Sequence, residues 1–387
     1  MRPTPSSLSP APPALTDDAT LSSSIECLLE HIPLDMQGDC TPETVYEILL
    51  HAASRQDSIE HTTQILAGVP TGNDIRYHLD KLDDISVLEA RLNDALQSQL
   101  PSGMTKHTQR IAMDLNLLPY YGKPTETDAP YLYRSKAKAG TTTFFAYATA
   151  YVIRANQRVT LALHAVPCYE TLVATVTYLL AQLATIKVKI SRLYLDRGFY
   201  SVPIIRWLQA LDIPFLMPAI IRGKTGGTRQ LLKGRTSYQT EYTLKGSTYG
   251  QVSCQIRVVC TYQKGRRGRH GVHYFLYVVH RINVALRATH QHYRARFGIE
   301  TSYRIKNLCR IRTTTKNPIL RLLFVGISFI LINLWIYLLW TYISLRRRGG
   351  RLVLRHLFTL NTLLEFLAHA VERRFPIITS IVLPDGI

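Results

Sequence analysis

Acidic side chains are scarce over most of this chain. Of its 387 residues, those from 101 onward carry 11 Asp and Glu against 41 Lys and Arg, a net charge of +30. A body so short of carboxylates is not built for cationic partners. Its default partner is nucleic acid, with an anionic membrane surface as the competitor. The first hundred residues lean the other way, with 16 acidic and 5 basic side chains, so the whole chain nets only +19. The six cysteines, Cys27, Cys40, Cys168, Cys254, Cys260 and Cys309, include no CxxC pair and no metal-ligand spacing. Their dispersal argues against a zinc module or a disulfide framework and fits free thiols in a reducing compartment, with the chain expected in the cytoplasm on DNA. The start, MRPTPSSLSPAPPALTDD, is Pro- and Ser-rich and lacks an apolar core, so we expect a disordered leader over residues 1–22 rather than a secretion signal.

What is present divides into regions of different texture. Residues 25–100 read as helical: TPETVYEILLHAA opens on a Thr-Pro-Glu start signal, and SIEHTTQIL and DIRYHLDKL flank the turn AGVPTGN. Helix, Gly/Pro turn, helix is compatible with a helix-turn-helix, but the acidity argues against strong phosphate contact and favours a plain helical or protein-contacting domain over residues 23–104. From QRIAMDLNLLPYYG onward the order becomes an apolar strand ending on Asp114, a hairpin of two β-branched and aromatic runs, and a helix over 169–185. A strand stopping at Asp196, a short helix and another strand follow. Residues 222–285 break that rhythm, with strand-like runs between basic, Gly-rich passages, and read as a β-rich insertion. The GKT at Gly223–Thr225 is not a phosphate-binding loop, because Pro218 stands where that motif needs its first glycine. The expected layout is an α/β catalytic domain over 105–345 containing the insertion, then a basic helical region over 346–387.

The 11 acids of the basic part can be taken one at a time: Asp114, Glu126, Asp128, Glu170, Asp196, Asp212, Glu241, Glu300, Glu365, Glu372 and Asp385. Asp114 and Asp196 each close an apolar strand, and strand ends are where α/β proteins gather their chemistry. Glu300 lies in YRARFGIETSYRIK, residues 293–306. On one continuous helix Tyr293, Arg296, Glu300 and Arg304 form a single stripe, one carboxylate among two guanidiniums and a phenol. Such a stripe suits a cation held beside phosphates; it also suits a solvated face laced with i,i+4 pairs. Three carboxylates in a basic domain match the needs of a pair of Mg²⁺ ions, which take carboxylate oxygens and leave positions for water and phosphate. The plainer readings are a helix cap for Asp196 and a turn carboxylate for Asp114.

These residues resemble the DDE transposases of bacterial and archaeal insertion sequences, in the group with a Tyr-Arg-Glu-Lys signature and a β-rich insertion before the Glu. The resemblance rests on YLDRGFYS (194–201), on Tyr293, Arg296 and Glu300 in the Tyr-x2-Arg-x3-Glu register, and on Asp114 in AMDLNLLPYYG. It covers about residues 105–345. It implies an RNase H-like fold in which Asp114, Asp196 and Glu300 bind two Mg²⁺, or Mn²⁺ in their place. It further implies cleavage of transposon ends and their joining to target DNA, commonly through a hairpinned end, by at least a dimer on double-stranded DNA. Arg296, Arg304 and Lys306 would hold the phosphates beside the cut, Tyr293 would contact the terminal strand, and Arg197 is a further phosphate ligand. One departure is Asn307, which stands where the family places a basic residue, with Lys306 one position earlier.

Residues 322–345, LLFVGISFILINLWIYLLWTYISL, run without a charge and are long enough to span a bilayer. Basic residues flank both ends, so no orientation signal emerges. With Glu300 just upstream, a helix buried against the catalytic sheet is favoured and no membrane contact is expected. Two rival functions remain: a transposase-derived DNA-binding protein without catalysis, and a basic protein anchored in a membrane through 322–345.

Overall fold

The computed structural model describes residues 14–381 apart from 37, 39, 83, 102, 155–157, 263–270 and 349, and leaves out the side chains of 297 and 299–302. The chain forms two compact units that interleave in sequence. One draws on residues up to 84, 306–315 and 323 onward; the other on 85–305 and 316–322.

The first unit is mainly helical. Helix α1 (Asp17–His31) starts inside the stretch expected to be disordered, because Thr16 accepts the N–H of Ala19 and Asp17 and Asp18 favour the helix start. Thr41 caps α2 (Pro42–Arg55) with Pro42 at its first turn, and Gln56 ends it in the left-handed region at φ 53°. After α3 (Ile59–Ile65), a capping box of Thr71 and Asp74 opens α4 (Gly72–Leu79). The same unit holds most of α10 (Pro318–Thr341), the 24-residue apolar helix, whose most apolar window is 89% buried as a core helix would be. Its residues from 323 onward belong to this helical unit, not to the sheet unit expected to bury them. The basic C-terminal region is not all helix: a hairpin, β10 (Ser344–Arg347) with β11 (Gly350–Val353), precedes α11 (Leu360–Arg374). Helix α11 packs on α1 and α2. Arg373 pairs with Asp17 and Asp18, Arg374 with Glu47, and Arg55 with Glu365 at 3.0 Å and Glu372 at 2.8 Å.

The second unit is built on one mixed sheet. Strand β1 (Gln109–Pro119) pairs antiparallel with β3 (Thr141–Val152), which pairs antiparallel with β4 (Thr160–Ala165) and, nearer its start, with β2 (Leu132–Lys138). On its other side β1 runs parallel to β5 (Ile190–Leu195), and β5 parallel to β6 (Phe215–Pro218). Helices α6 (Leu172–Thr185) and α7 (Val202–Ala210) make the crossovers. The order β4-β3-β1-β5-β6, three antiparallel strands followed by two parallel ones, is the RNase H-like arrangement. The insertion is β-rich as expected: β7 (Tyr238–Gly246), β8 (Gly250–Tyr262) and β9 (Val272–His280) are antiparallel and extend the sheet through β9 on β6. Helix α5 (Ile85–Ser98), expected in the N-terminal domain, belongs to this unit. Its Asn93 amide donates to Leu163 O at 2.9 Å and accepts from Leu163 N at 2.7 Å, so it stands in for a neighbouring strand along the edge of β4.

Burial of β3 and β4 is almost continuous, the pattern of strands covered on both faces. On the α5 and α6 side, buried His164 of β4 lies between Glu89, 2.9 Å from Nδ1, and Glu170, 3.0 Å from Nε2. Burial alone would lower the pKa of this imidazole, but hydrogen bonds and charge from Glu89 and Glu170 outweigh it and raise the value. A raised folded-state pKa adds stability that is fully present below the ordinary histidine value and lost as pH rises through the folded one. Unfolding stability is therefore expected to fall as pH rises from the ordinary histidine value of about 6.5 through the higher folded one. His164→Gln should flatten that part of the profile and, by removing the cation between buried Glu89 and half-buried Glu170, lower stability at pH 6 by roughly 2–4 kcal/mol. Urea denaturation across that range checks both, and an unchanged slope in the variant would remove His164 as its source.

Candidate active site

Register decides which side chains can meet. Ala112 of β1 lies opposite both Tyr151 of β3 and Tyr194 of β5, and Asp114 lies opposite Thr149. Side chains alternate between faces with period two, so Asp114 and Asp196 point to the same face as these residues. The β1/β5 pairing ends at Met113 with Leu195, so Asp114 and Asp196 are the residues that follow the last paired position on each strand. Asp196 closes β5 as expected and also caps the single 3-10 turn that follows, accepting the N–H of Arg197. Asp114, in contrast, lies inside its strand, because β3 continues to pair with β1 as far as Pro119.

The stretch expected as one helix is two. Helix α8 (Thr289–Arg294) stops at a turn over 295–296, and α9 (Phe297–Lys306) begins anew. The expected single stripe is therefore broken between Tyr293 and Glu300. The turn lets Arg296 dive into the sheet face: it is 5% exposed, with Nη1 3.1 Å from Asp114 Oδ2 and Nη2 3.9 Å from Asp196 Oδ1. Tyr293 is buried beside it, the guanidinium 5.4 Å from its ring centre, and its hydroxyl donates to Leu195 O at 3.2 Å. Burial, the leading cause, raises the pKa of the Tyr293 phenol. Tyr303 donates to Asp114 O at 3.2 Å and shares a 2.7 Å hydrogen bond with Thr149. Burial and then the Asp114 charge keep its pKa well above the tyrosine norm. Sequence reasoning missed both Thr149 and Tyr303; Tyr303 was within the singled-out stretch but off the assumed stripe.

The remaining expected residues are placed differently. Arg197 and Arg304 are exposed. Lys306 was expected beside phosphates, yet it is 2% exposed, its ammonium 5.7 Å from the Phe329 ring centre. Burial, with a smaller contribution from Arg310, pushes its pKa down to about 7. Glu300 is on α9, and its side chain lies outside the described residues. Among the described residues no three His, Cys, Asp or Glu side chains gather as a metal site. Asp114 and Asp196 by themselves offer only hard carboxylate oxygens, the donors that suit Mg²⁺ and Mn²⁺.

Residues 106–334 match the family model described as the transposase DDE domain. The fold is similar to that in the cryo-EM structure of the piggyBac transposase synaptic complex with hairpin DNA, at a TM-score of 0.54 and 13% identity, over 92% of this chain and 77% of that one. No curated protein matches the chain.

Two outcomes test the geometry. Arg296→Gln removes the buried cation next to Asp114 and is expected to cost roughly 3–5 kcal/mol in chemical denaturation. Much of that loss should return in the double variant with Asp114→Asn, and strictly additive losses would show that the two side chains do not couple. At Lys306 the folded-state pKa of about 7 lies below the ordinary lysine value. Between pH 7 and about pH 10 the folded chain then binds fewer protons than the unfolded one, and stability rises with pH. Lys306→Met is expected to stabilise by about 4 kcal/mol below pH 7 and by progressively less toward pH 10. A pH-independent difference in Tm would contradict the buried, neutralisable ammonium.

Proposed function

The chain belongs to the transposase DDE domain family, and we propose that it cleaves the ends of a mobile element and joins them to target DNA with the aid of divalent metal ions. The observation that carries this reading is the convergence of Asp114 and Asp196 on one buried guanidinium, Arg296, at 3.1 and 3.9 Å. Together with Glu300, these acids would hold the metal. When bound, a divalent ion there supplies Lewis acidity to a phosphodiester and lowers the pKa of the attacking water or hydroxyl.

The chain's own groups prepare that site. Arg296 balances the buried charge of Asp114, which would otherwise be strongly disfavoured so far from water. Tyr303 and Tyr293 tie down the main-chain carbonyls of Asp114 and Leu195 from the helices above the sheet, so both strands keep the register on which the carboxylate pair depends. Exposed Arg197 and Arg304 are the cations free to approach DNA phosphates, and Lys306 is left out of that set by its burial. The neighbouring fold is that of a transposase synaptic complex with hairpin DNA. That complex holds DNA, in keeping with DNA as the partner proposed here; action on double-stranded ends, by a dimer that bridges two of them, in an element of the insertion-sequence type, is part of the same proposal. A catalytically silent descendant is disfavoured by the intact acid pair, and a membrane anchor by the burial of α10.

The test is strand cleavage in Mg²⁺ of DNA carrying the sequences that flank this chain's own reading frame. Asp196→Asn and Glu300→Gln are each expected to lower cleavage by at least a thousandfold, while DNA affinity in metal-free buffer stays within about threefold of wild type. Cleavage that survives Asp196→Asn, or binding lost in parallel with cleavage, would sink the assignment.

A further inference from the structure

One end of the mixed sheet is guarded and the other is bare. Along β4 the Asn93 amide takes the place of a neighbouring strand. Strand β2, on the same side of β3, carries the usual guards of an edge: a break in its pairing between Arg134 and Lys138, and the exposed cations Arg134, Lys136 and Lys138. The opposite end is β7, nine residues that pair with β8 without a register shift from Tyr238 to Gly246. It contains no proline, and among the described residues no backbone hydrogen bond joins it to anything but β8. A strand of this length with an open edge is a template for another strand.

The ladder tells which backbone groups are open. In an antiparallel pair, residues alternate between those that bond the neighbouring strand and those that turn away from it. On β8 the carbonyls of Gln251 and Ser253 accept from Arg206 at 2.9 Å and Gln209 at 3.0 Å, both on α7, whereas Cys260 N donates to the Ser237 hydroxyl just ahead of β7. Odd-numbered residues of β8 therefore turn away from β7, and even-numbered ones turn toward it. Lys245 and Thr243 lie opposite Gln251 and Ser253, so the N–H and C=O groups of Gln239, Glu241, Thr243 and Lys245 point to the open edge. Glu241 O meets the adjacent Thr240 hydroxyl at 3.3 Å, a contact within the strand that leaves the edge bare. The side chains of the same four residues are exposed and share one face.

We infer that β7 is a self-pairing edge, through which two copies of this chain join their sheets about a two-fold axis at Thr243. In that register Glu241 stands opposite the partner's Lys245, and Lys245 opposite the partner's Glu241, so the strand is complementary to itself in charge. Neither side chain has an ion-pair partner among the described residues. The open backbone groups of Glu241, Thr243 and Lys245 meet those of the partner's Lys245, Thr243 and Glu241, each pair exchanging two hydrogen bonds. On the other face Tyr242 meets the partner's Leu244 in the position where facing side chains come closest. Moving the axis to Tyr242 would set Lys245 opposite the partner's Gln239 and leave both charges unmatched, so the ion pairs select the register. The inference goes beyond the DNA-processing reading, because this contact is between protein chains and forms without DNA.

The experiment is sedimentation equilibrium of the DNA-free full chain between about 1 and 100 μM. The mass should rise from that of one chain to that of two, with a dissociation constant on the order of 10 μM, as suits a small contact. Thr243→Pro deletes an N–H that the pairing with β8 does not use, and should keep the chain monomeric throughout with a Tm within about 3 °C of wild type. Glu241→Lys sets like charges opposite each other on both sides of the axis and should weaken pairing roughly tenfold. Glu241→Lys/Lys245→Glu should return it to within about threefold of wild type. A wild type that stays monomeric, a dimer indifferent to Thr243→Pro, or a double variant no tighter than Glu241→Lys would each overturn the inference. So would a monomeric wild type whose affinity for duplex falls in Thr243→Pro, which would hand the edge to DNA. A chain that pairs in this way yet never cleaves flanking DNA in Mg²⁺ would sink the proposed function and leave the self-pairing edge standing. Cleavage by a chain that stays monomeric without DNA would do the reverse.

Discussion

The sheet unit depends on one electrostatic constraint: buried Asp114 inside β1 and half-exposed Asp196 just past the end of β5 both lie against one buried guanidinium. Two like charges drawn toward the same point repel, and more so where one of them is buried. Arg296 answers that repulsion at 3.1 Å from Asp114 and 3.9 Å from Asp196. It sits in the two-residue turn at 295–296, where the helical path breaks between α8 and α9. The break thus exchanges a regular helix for a neutralised acid pair. It also divides the arginines by role: Arg296 is inside, while Arg197 and Arg304 stay outside.

Charge is divided in a related way in the helical unit. The acidity of the first hundred residues looked like a bar to nucleic-acid contact. Part of it is instead internal complementarity, since Asp17, Asp18 and Glu47 are paired with Arg373 and Arg374 of α11, and Arg55 with Glu365 and Glu372. Exposed pairs of this kind contribute little each. Their number along one seam nevertheless specifies which helix α11 packs against, so the net charge of a segment in isolation was a poor guide to the face it presents.

Much of the sheet was legible beforehand because its strands are rich in β-branched and aromatic residues and end at Gly, Pro or Asp. The two aspartates stood out because acids are so rare after residue 100. What stayed illegible was set by long-range pairing. That β1 continues past Asp114 follows from the length of β3, which no local pattern around Asp114 reveals. The assumed stripe failed at Arg296 because periodicity follows side-chain spacing alone and is blind to a two-residue turn, even one followed by the weak helix formers Phe297 and Gly298. Lys306 reads as a surface cation in any composition count, yet it is buried over Phe329. Likewise the apolar run passes the length test for a membrane span, while 89% of its most apolar window is buried within the chain, which no local pattern reveals.

The insertion has a structural role that its position in sequence hides. It leaves after β6 and returns as β9 antiparallel to β6, with His280 opposite Phe215, the first residue of β6. Three added strands therefore deliver the chain to the end of the sheet away from the carboxylates, and the following segment has to climb back across the face. Buried Arg257 of β8 sets the start of that climb: it donates to Ile282 O at 3.0 Å, to Val284 O at 2.8 Å and to the Thr289 hydroxyl at 3.1 Å. From there α8 packs Tyr293 against Tyr277 of β9, 5.1 Å between ring centres, and reaches the level of Leu195. Arg296 arrives at the acid pair three residues later. The inserted strands thus fix the approach of the segment that carries Arg296 to the acids.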